Sequence, residues 1–285
     1  MDITKKNVII FIIEEVRSRF RYHNISAYGA QLAYFFLLSL FPFLIFLIAI
    51  LSNFSISLDG ALNTLAKVAP REAIIIINDY IKSLMSTKII NLLSISFLIT
   101  IWSASRAVNA LINALNSAYD IQETRSFIKK RVLAILFTVL IALSIVLALI
   151  IPTMGMDFLL WISKYIILSD FVIKLWYYAR WLIITLILFL VLGSLYFVAP
   201  NTKTRFAEII PGTIFAIFGW IAISIGFSYF VNNFRNYTLV YGSLGAIIVL
   251  MIWLYLSGVI LIIGGEINSL YSIYIDLNRR ERLKI

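Results

Sequence analysis

The chain has 285 residues, 62% of them hydrophobic and 13% charged, with a net charge of +10, whereas water-soluble domains run at about 45–50% apolar and about 25% charged. Its apolar residues fall in unbroken runs long enough to cross a hydrocarbon layer of roughly 30 Å, so the solvent to reason with is the bilayer. With no cysteine and one histidine, His23, disulfides, thiol chemistry and a Cys/His metal cluster are excluded, and the basic excess reads as topogenic charge attracted to anionic lipid heads rather than as a nucleic-acid surface.

In chain order, the run Val8 to Ile13 is too short for the apolar core of a signal peptide and is followed by Glu14 and Glu15, so the start is expected to be retained. Ile9, Ile12, Ile13, Val16 and Phe20 recur at helical spacing with Arg17 and Arg21 on the flank, the pattern of an amphipathic helix on the membrane surface. Six runs then read as spans, at about 31–51, 89–107, 132–151, 177–198, 210–231 and 245–264. In the last, twelve Ile, Leu or Val residues between Gly245 and Ile263 favour insertion by roughly 4–7 kcal/mol, and no charge opposes them. Between the first two spans, Pro70 precedes Ile74, Ile77, Ile81 and Leu84 at helical steps, and in 156–175 Phe158, Ile162 and Tyr165 form a similar stripe; both segments are expected to lie as helices across the outer mouth. The predicted fold is therefore an all-α integral membrane protein with six transmembrane helices plus amphipathic interfacial helices at the N-terminus and on the outer face. With no Gly/Ser linker, residues 1–285 form one membrane domain, and no inverted repeat of transporter type is evident.

Lys and Arg outside the spans set the orientation. The segments 1–30, 106–131, 200–209 and the tail after 265 carry 16 of them, and the alternate segments 8. The positive-inside rule puts the first set, and with it both termini, in the cytoplasm.

Polar residues in or beside the runs are costly in lipid unless they face protein or water. Span one opens with Gln31-Leu32-Ala33-Tyr34 and carries Pro42. Span two closes with Trp102-Ser103-Ala104-Ser105-Arg106 and continues through Asn109, Asn113 and Asn116, which share a helical face. Span four ends at Ala199-Pro200-Asn201, span five starts at Pro211-Gly212, and span six is preceded by Tyr241-Gly242-Ser243-Leu244-Gly245 and ends at Gly264-Gly265-Glu266-Ile267-Asn268. Gly212, Gly219 and Gly226, spaced by seven, read as a close-packing face, and Gly242 and Gly245 as a turn and the start of span six.

In this order, QLAYFFLLSLFP, WSASRAVNALINALNSAY, IIPG, YGSLGAII and GGEIN resemble the YihY/virulence factor BrkB family of bacterial inner-membrane proteins over nearly the whole chain. Thr213 and Gly265 stand where alanine is expected. The resemblance implies a six-span inner-membrane protein of undefined biochemical activity; relatives have borne a ribonuclease BN label, and some are linked to serum resistance or envelope lipid traffic. The residues do not support a nuclease, since one histidine and no close carboxylate cluster offer neither a metal site nor a histidine acid/base pair. No nucleotide-binding Gly-rich loop is present and no cofactor is expected.

Topology and motifs combined place Gln31, Arg106, Asn116, Asn201, Gly212, Glu266 and Asn268 near the cytoplasmic boundary. One reading is a polar crevice open to the cytoplasm, with Arg106 as anion contact, Glu266 as its counter-charge, and Gln31, Tyr34, Asn109, Asn113, Asn116 and Asn268 orienting a ligand. The other is structural: Arg106 as a positive-inside anchor, Glu266 paired with a neighbouring basic residue, the asparagines as interhelical hydrogen bonds, and His23 and the tryptophans in interface or packing roles. The functions that follow are transport of an anionic lipid or other envelope amphiphile, a non-transporting organiser of the envelope or, as the weakest of the three, a ribonuclease or other intramembrane enzyme. The expected partners are membrane lipids, anionic ones foremost, and a homo-oligomer or envelope protein, with no nucleic acid.

Overall fold

The computed structural model describes residues 8–53, 58–66, 69, 71–85, 93–163, 165, 169–233 and 244–282. Among these the chain is helical and without strands: α1 (Val8–Tyr22), α2 (Ile25–Asn53), α3 (Leu58–Leu65), α4 (Arg71–Met85), α5 (Leu93–Ala118), α6 (Phe127–Ser163), α7 (Asp170–Val198), α8 (Phe206–Asn233) and α9 (Leu244–Arg282). It is an all-α membrane protein. Five segments are long and apolar enough to cross a membrane: Ile25–Ile45, Phe127–Pro152, Lys174–Val198, Phe206–Val231 and Gly245–Leu277. The predicted span 89–107 falls partly outside the described residues and otherwise in α5. That helix is packed by α2, α6 and α9, and its Ala107, Val108, Leu111, Ala114 and Leu115 are buried against protein.

The six long helices close into a ring in chain order, α2 on α5, α5 on α6, α6 on α7, α7 on α8, α8 on α9 and α9 back on α2 and α5. Helices can approach closely in lipid only where side chains are small. Gly29 of α2 meets Val259 of α9, Gly258 meets Leu32, Gly212 of α8 meets Gly264, and Gly265 meets Leu115 of α5. Farther along the α8–α9 seam, Trp220 Nε1 donates to Ser257 Oγ at 3.1 Å and Trp253 Nε1 to Ser224 Oγ at 3.1 Å, since an indole N–H in hydrocarbon has protein as its partner or none.

Several expectations are corrected. Among the described residues Gly226 is not part of the packing face: a Cβ there would meet none of them within 4 Å, whereas one on Gly219 would meet Ile260 at 3.3 Å. A seven-residue step drifts by about 20° per heptad on a straight helix, so the third glycine has rotated out of the seam. The 156–175 segment is not a separate outer helix, because α6 runs through Pro152 to Ser163 and α7 begins at Asp170; Arg180 Nη1 of α7 donates to the Pro152 carbonyl at 3.2 Å. Nor does Pro211 open α8. That helix starts at Phe206, where Glu208 reaches back to accept from the Arg205 backbone N–H at 3.1 Å, half of a capping box. Pro42 likewise lies inside α2, while Pro200 does follow a helix end, just after α7.

In α4 the predicted stripe is helical, with Ala73, Ile77 and Ile81 buried, the two isoleucines against Leu44, Leu47, Val146 and Leu149 at the end of the ring. Pro70 and Gly242 lie outside the described residues, and Gly245 is the second residue of α9. On α1, Phe11 is buried and Phe20 packs on the core, while Ile9 and Ile13 point outward.

Candidate functional site

The polar residues gather at the end of the ring where α2 and α8 begin and α5, α7 and α9 reach the same level. At its centre Glu266, wholly buried, accepts from His23 Nδ1 at 2.6 Å and from Arg19 Nη1 at 3.4 Å. His23, 4% exposed, turns Nε2 toward Asp120 Oδ1 at 3.2 Å, and Arg19 also donates to the Ala118 carbonyl at 2.9 Å and to Ser269 Oγ at 3.4 Å. Two helix caps make this geometry. Asp120, at φ 54°, ends α5 in a Schellman motif, with the backbone N–H of Ile121 on the Asn116 carbonyl and that of Asp120 on Ser117. Asn24, at φ 51°, turns the chain between α1 and α2. Asp and Asn enter the left-handed region more readily than other side chains that carry a Cβ.

A second network joins the 119–126 loop to α7. Asn116 Nδ2 donates to Glu123 Oε2 at 2.9 Å, and its Oδ1 accepts from the Asn201 backbone N–H at 2.8 Å. Arg125 grips Glu123 through Nε at 2.8 Å and Nη2 at 3.0 Å, and caps α7 by donating to the Ala199 and Val198 carbonyls. Burial pushes the Glu123 carboxyl up, but the hydrogen bonds and charge of Arg125, with Asn116, outweigh it and hold its pKa below the ordinary value. Lys130 Nζ donates to Asn113 Oδ1 at 2.5 Å. On the other flank the Gly212 backbone N–H donates to Asn268 Oδ1 at 2.7 Å. Tyr119, its hydroxyl buried without a hydrogen-bond partner among the described residues, has its pKa raised by burial and then by the negative charge of Glu208 and Glu266.

Arg106 is not the counter-charge of Glu266. Glu266 is buried against Arg19 and His23, whereas Arg106 is exposed and stacks on Trp102, its Cζ 5.7 Å from the ring centroid, where Arg131 of α6 lies closer still at 4.2 Å. Trp102 borders an open apolar groove of about 580 Å³ between α2 and α5, lined by Leu38, Pro42, Leu98, Ile99, Trp102 and Ser103. The two helices run antiparallel here, which puts Gln31 and Tyr34, both exposed, at the level of Asn109 and Arg106. Among the described residues no three His, Asp or Glu side chains converge as metal ligands.

The family model described as virulence factor BrkB matches residues 16–284. The chain belongs to the virulence factor BrkB family. It is 40% identical over 271 residues to the putative ribonuclease-like protein YfkH of Bacillus subtilis, covering 95% of this chain and 96% of that one. UPF0761 membrane proteins of Pseudoalteromonas translucida and Vibrio campbellii are 33% identical over 78 residues and 35% over 92, covering 27% and 32% of this chain and 26% and 29% of theirs. No solved structure matches.

In this BrkB-family chain the sequence-predicted polar residues therefore separate into three places. Glu266 joins the buried ion cluster, Asn113, Asn116 and Asn268 hold helix ends, and Gln31, Tyr34 and Arg106 are exposed. Sequence reasoning missed Arg19 and His23 as partners of Glu266 and Asp120 as the second carboxylate on both of them, and assigned His23 to packing or the interface. A signal existed: a histidine just after a helix-length segment, followed by Asn24, is a residue at a C-terminal cap. It missed Arg131 because a basic residue at a span boundary is ordinary.

Proposed function

We propose that this membrane protein binds an anionic lipid or lipid-linked envelope precursor at its charged end and translocates it. The observation that supports this is the state of its arginines. Arg19, Arg125 and Arg205 are each paired with carboxylates, whereas the exposed Arg106, like Arg131 beside it, has no carboxylate at ion-pair distance among the described residues, a charge open to an anion. We place α5 as a sixth span, the charged end and both termini in the cytoplasm, and the protein in the bacterial inner membrane, on the strength of the 16 to 8 distribution of Lys and Arg. A reporter fused after Ile285 reads the topology, and an extracytoplasmic signal overturns it.

The translocation test uses the full chain in vesicles carrying head-labelled phosphatidylglycerol in one leaflet. Asymmetry is expected to decay faster than in protein-free vesicles and more slowly again with Arg106→Ala; equal decay with and without protein refutes transport. The second reading, a non-transporting organiser, draws on Glu266, Asn113, Asn116 and Asn201, whose hydrogen bonds go to other parts of the chain, and it expects a protein partner retained through mild detergent. A ribonuclease reading, which the name of the Bacillus relative would suggest, finds no support in His23: the ring is buried and both nitrogens face carboxylates, so neither is available to a substrate hydroxyl.

A further inference from the structure

We infer that the groove between α2 and α5 holds one acyl chain of an anionic glycerophospholipid whose phosphate lies between Arg106 and Arg131. This rests on the ligand class proposed above and adds its place, its second cation and its selectivity.

The groove is open on one side, and its volume of about 580 Å³ is within the range of ligand pockets, about 300–1,000 Å³. Pro42, which has no N–H to give the Leu38 carbonyl, and Leu38 both line the opening. An apolar groove alone would take a chain from any lipid, so selectivity has to come from its rim. There two guanidiniums share the Trp102 ring, at 4.2 Å and 5.7 Å, with no carboxylate at ion-pair distance from either among the described residues. Like charges so placed repel, and an anion between them relieves that repulsion. Arg131 Nη2 is moreover buried with no hydrogen-bond partner among the described residues, although buried donors are nearly always paired. A phosphodiester offers oxygens to both arginine forks.

The depth also fits. Eight residues of α5 separate Arg106 from Leu98, about 12 Å of helix, less than half of the roughly 30 Å hydrocarbon layer. A head group at the arginines and a chain beside Leu98 therefore belong to one leaflet. A zwitterionic lipid has the same phosphate but carries a cation that the arginine pair repels, so the rim favours a lipid with net negative charge.

The test is contact quenching of Trp102 in the full chain. The protein is reconstituted in phosphatidylcholine vesicles containing a minor fraction of lipid brominated on its acyl chains, either phosphatidylglycerol or phosphatidylcholine, and the signal of Trp102→Phe is subtracted to isolate Trp102. Brominated phosphatidylglycerol is expected to occupy the groove about thirtyfold more readily than the choline lipid, with Arg106→Gln and Arg131→Gln each removing about fivefold. Equal quenching by the two lipids, or a preference that survives the double substitution, overturns the proposal. Native mass spectrometry of the unsubstituted chain needs no variant: a retained phosphatidylglycerol is expected, and retained lipid mirroring the bulk mixture counts against the site. Selective quenching without translocation leaves the site standing and removes transport, and translocation without selectivity at Trp102 does the reverse.

Discussion

Replacing Gly212 by alanine tests the account of how α8 and α9 are held. A Cβ at Gly212 would stand 2.5 Å from Asn268 Oδ1 and 2.6 Å from its Cγ, and it would collide with the Gly264 carbonyl. The Asn268 side chain can swing away, but the Gly264 carbonyl is backbone of α9, so the helices must part. Parting them stretches the 2.7 Å bond from the Gly212 N–H to Asn268. Overpacking costs about 1–3 kcal/mol and the hydrogen bond about 0.5–1.5 kcal/mol, against a gain of about 1 kcal/mol in helix propensity, for a net loss of about 2 kcal/mol. Gly226→Ala is the control: it has the same propensity gain and none of the described residues within 4 Å, so it is expected to be neutral or stabilising by up to about 1 kcal/mol. Unfolding of both variants in mixed micelles, followed by tryptophan fluorescence, decides the matter. A Gly212→Ala protein as stable as the parent, or a Gly226→Ala protein equally weakened, refutes the reasoning.

Two further outcomes follow from the charged end. Glu266→Ala leaves Arg19 and His23 facing an empty acceptor position in a buried setting, and breaking a buried pair by removing one partner costs about 3–5 kcal/mol; Glu266→Gln, which keeps an oxygen for His23, should lose less, with unfolding midpoints as the readout. The Glu123 carboxyl has its pKa lowered in the folded chain, so its contribution to stability is complete above the ordinary carboxylate value and is lost as pH falls through the lowered one. Melting followed from neutral pH down through the carboxylate range should show that loss, and Arg125→Ala should flatten this part of the profile; an unchanged slope would mean that Arg125 is not its cause.

Much of the architecture is a property of the sequence alone. Runs such as Gly245 to Ile263 cannot be solvated by water, and a helix is the way a single strand of backbone satisfies itself in lipid. The gathering of Asn116, Asn201, Gly212, Glu266 and Asn268 at one end follows from those facts, because alternating spans bring their motif-bearing ends to the same level. Which of them touch is a different matter. Hydropathy fixes depth but not azimuth: Arg106 and Glu266 lie on neighbouring helices of a ring, and the rotation of each about its axis decides that one is exposed and the other buried in the core. That rotation is set by packing at Gly29, Gly212, Gly258, Gly264 and Gly265, whose neighbours are remote in sequence. The partners of Glu266 were equally hidden, since Arg19 and His23 lie 247 and 243 residues away from it and meet it only because two left-handed caps, at Asn24 and Asp120, fold α1 and the end of α5 against α9.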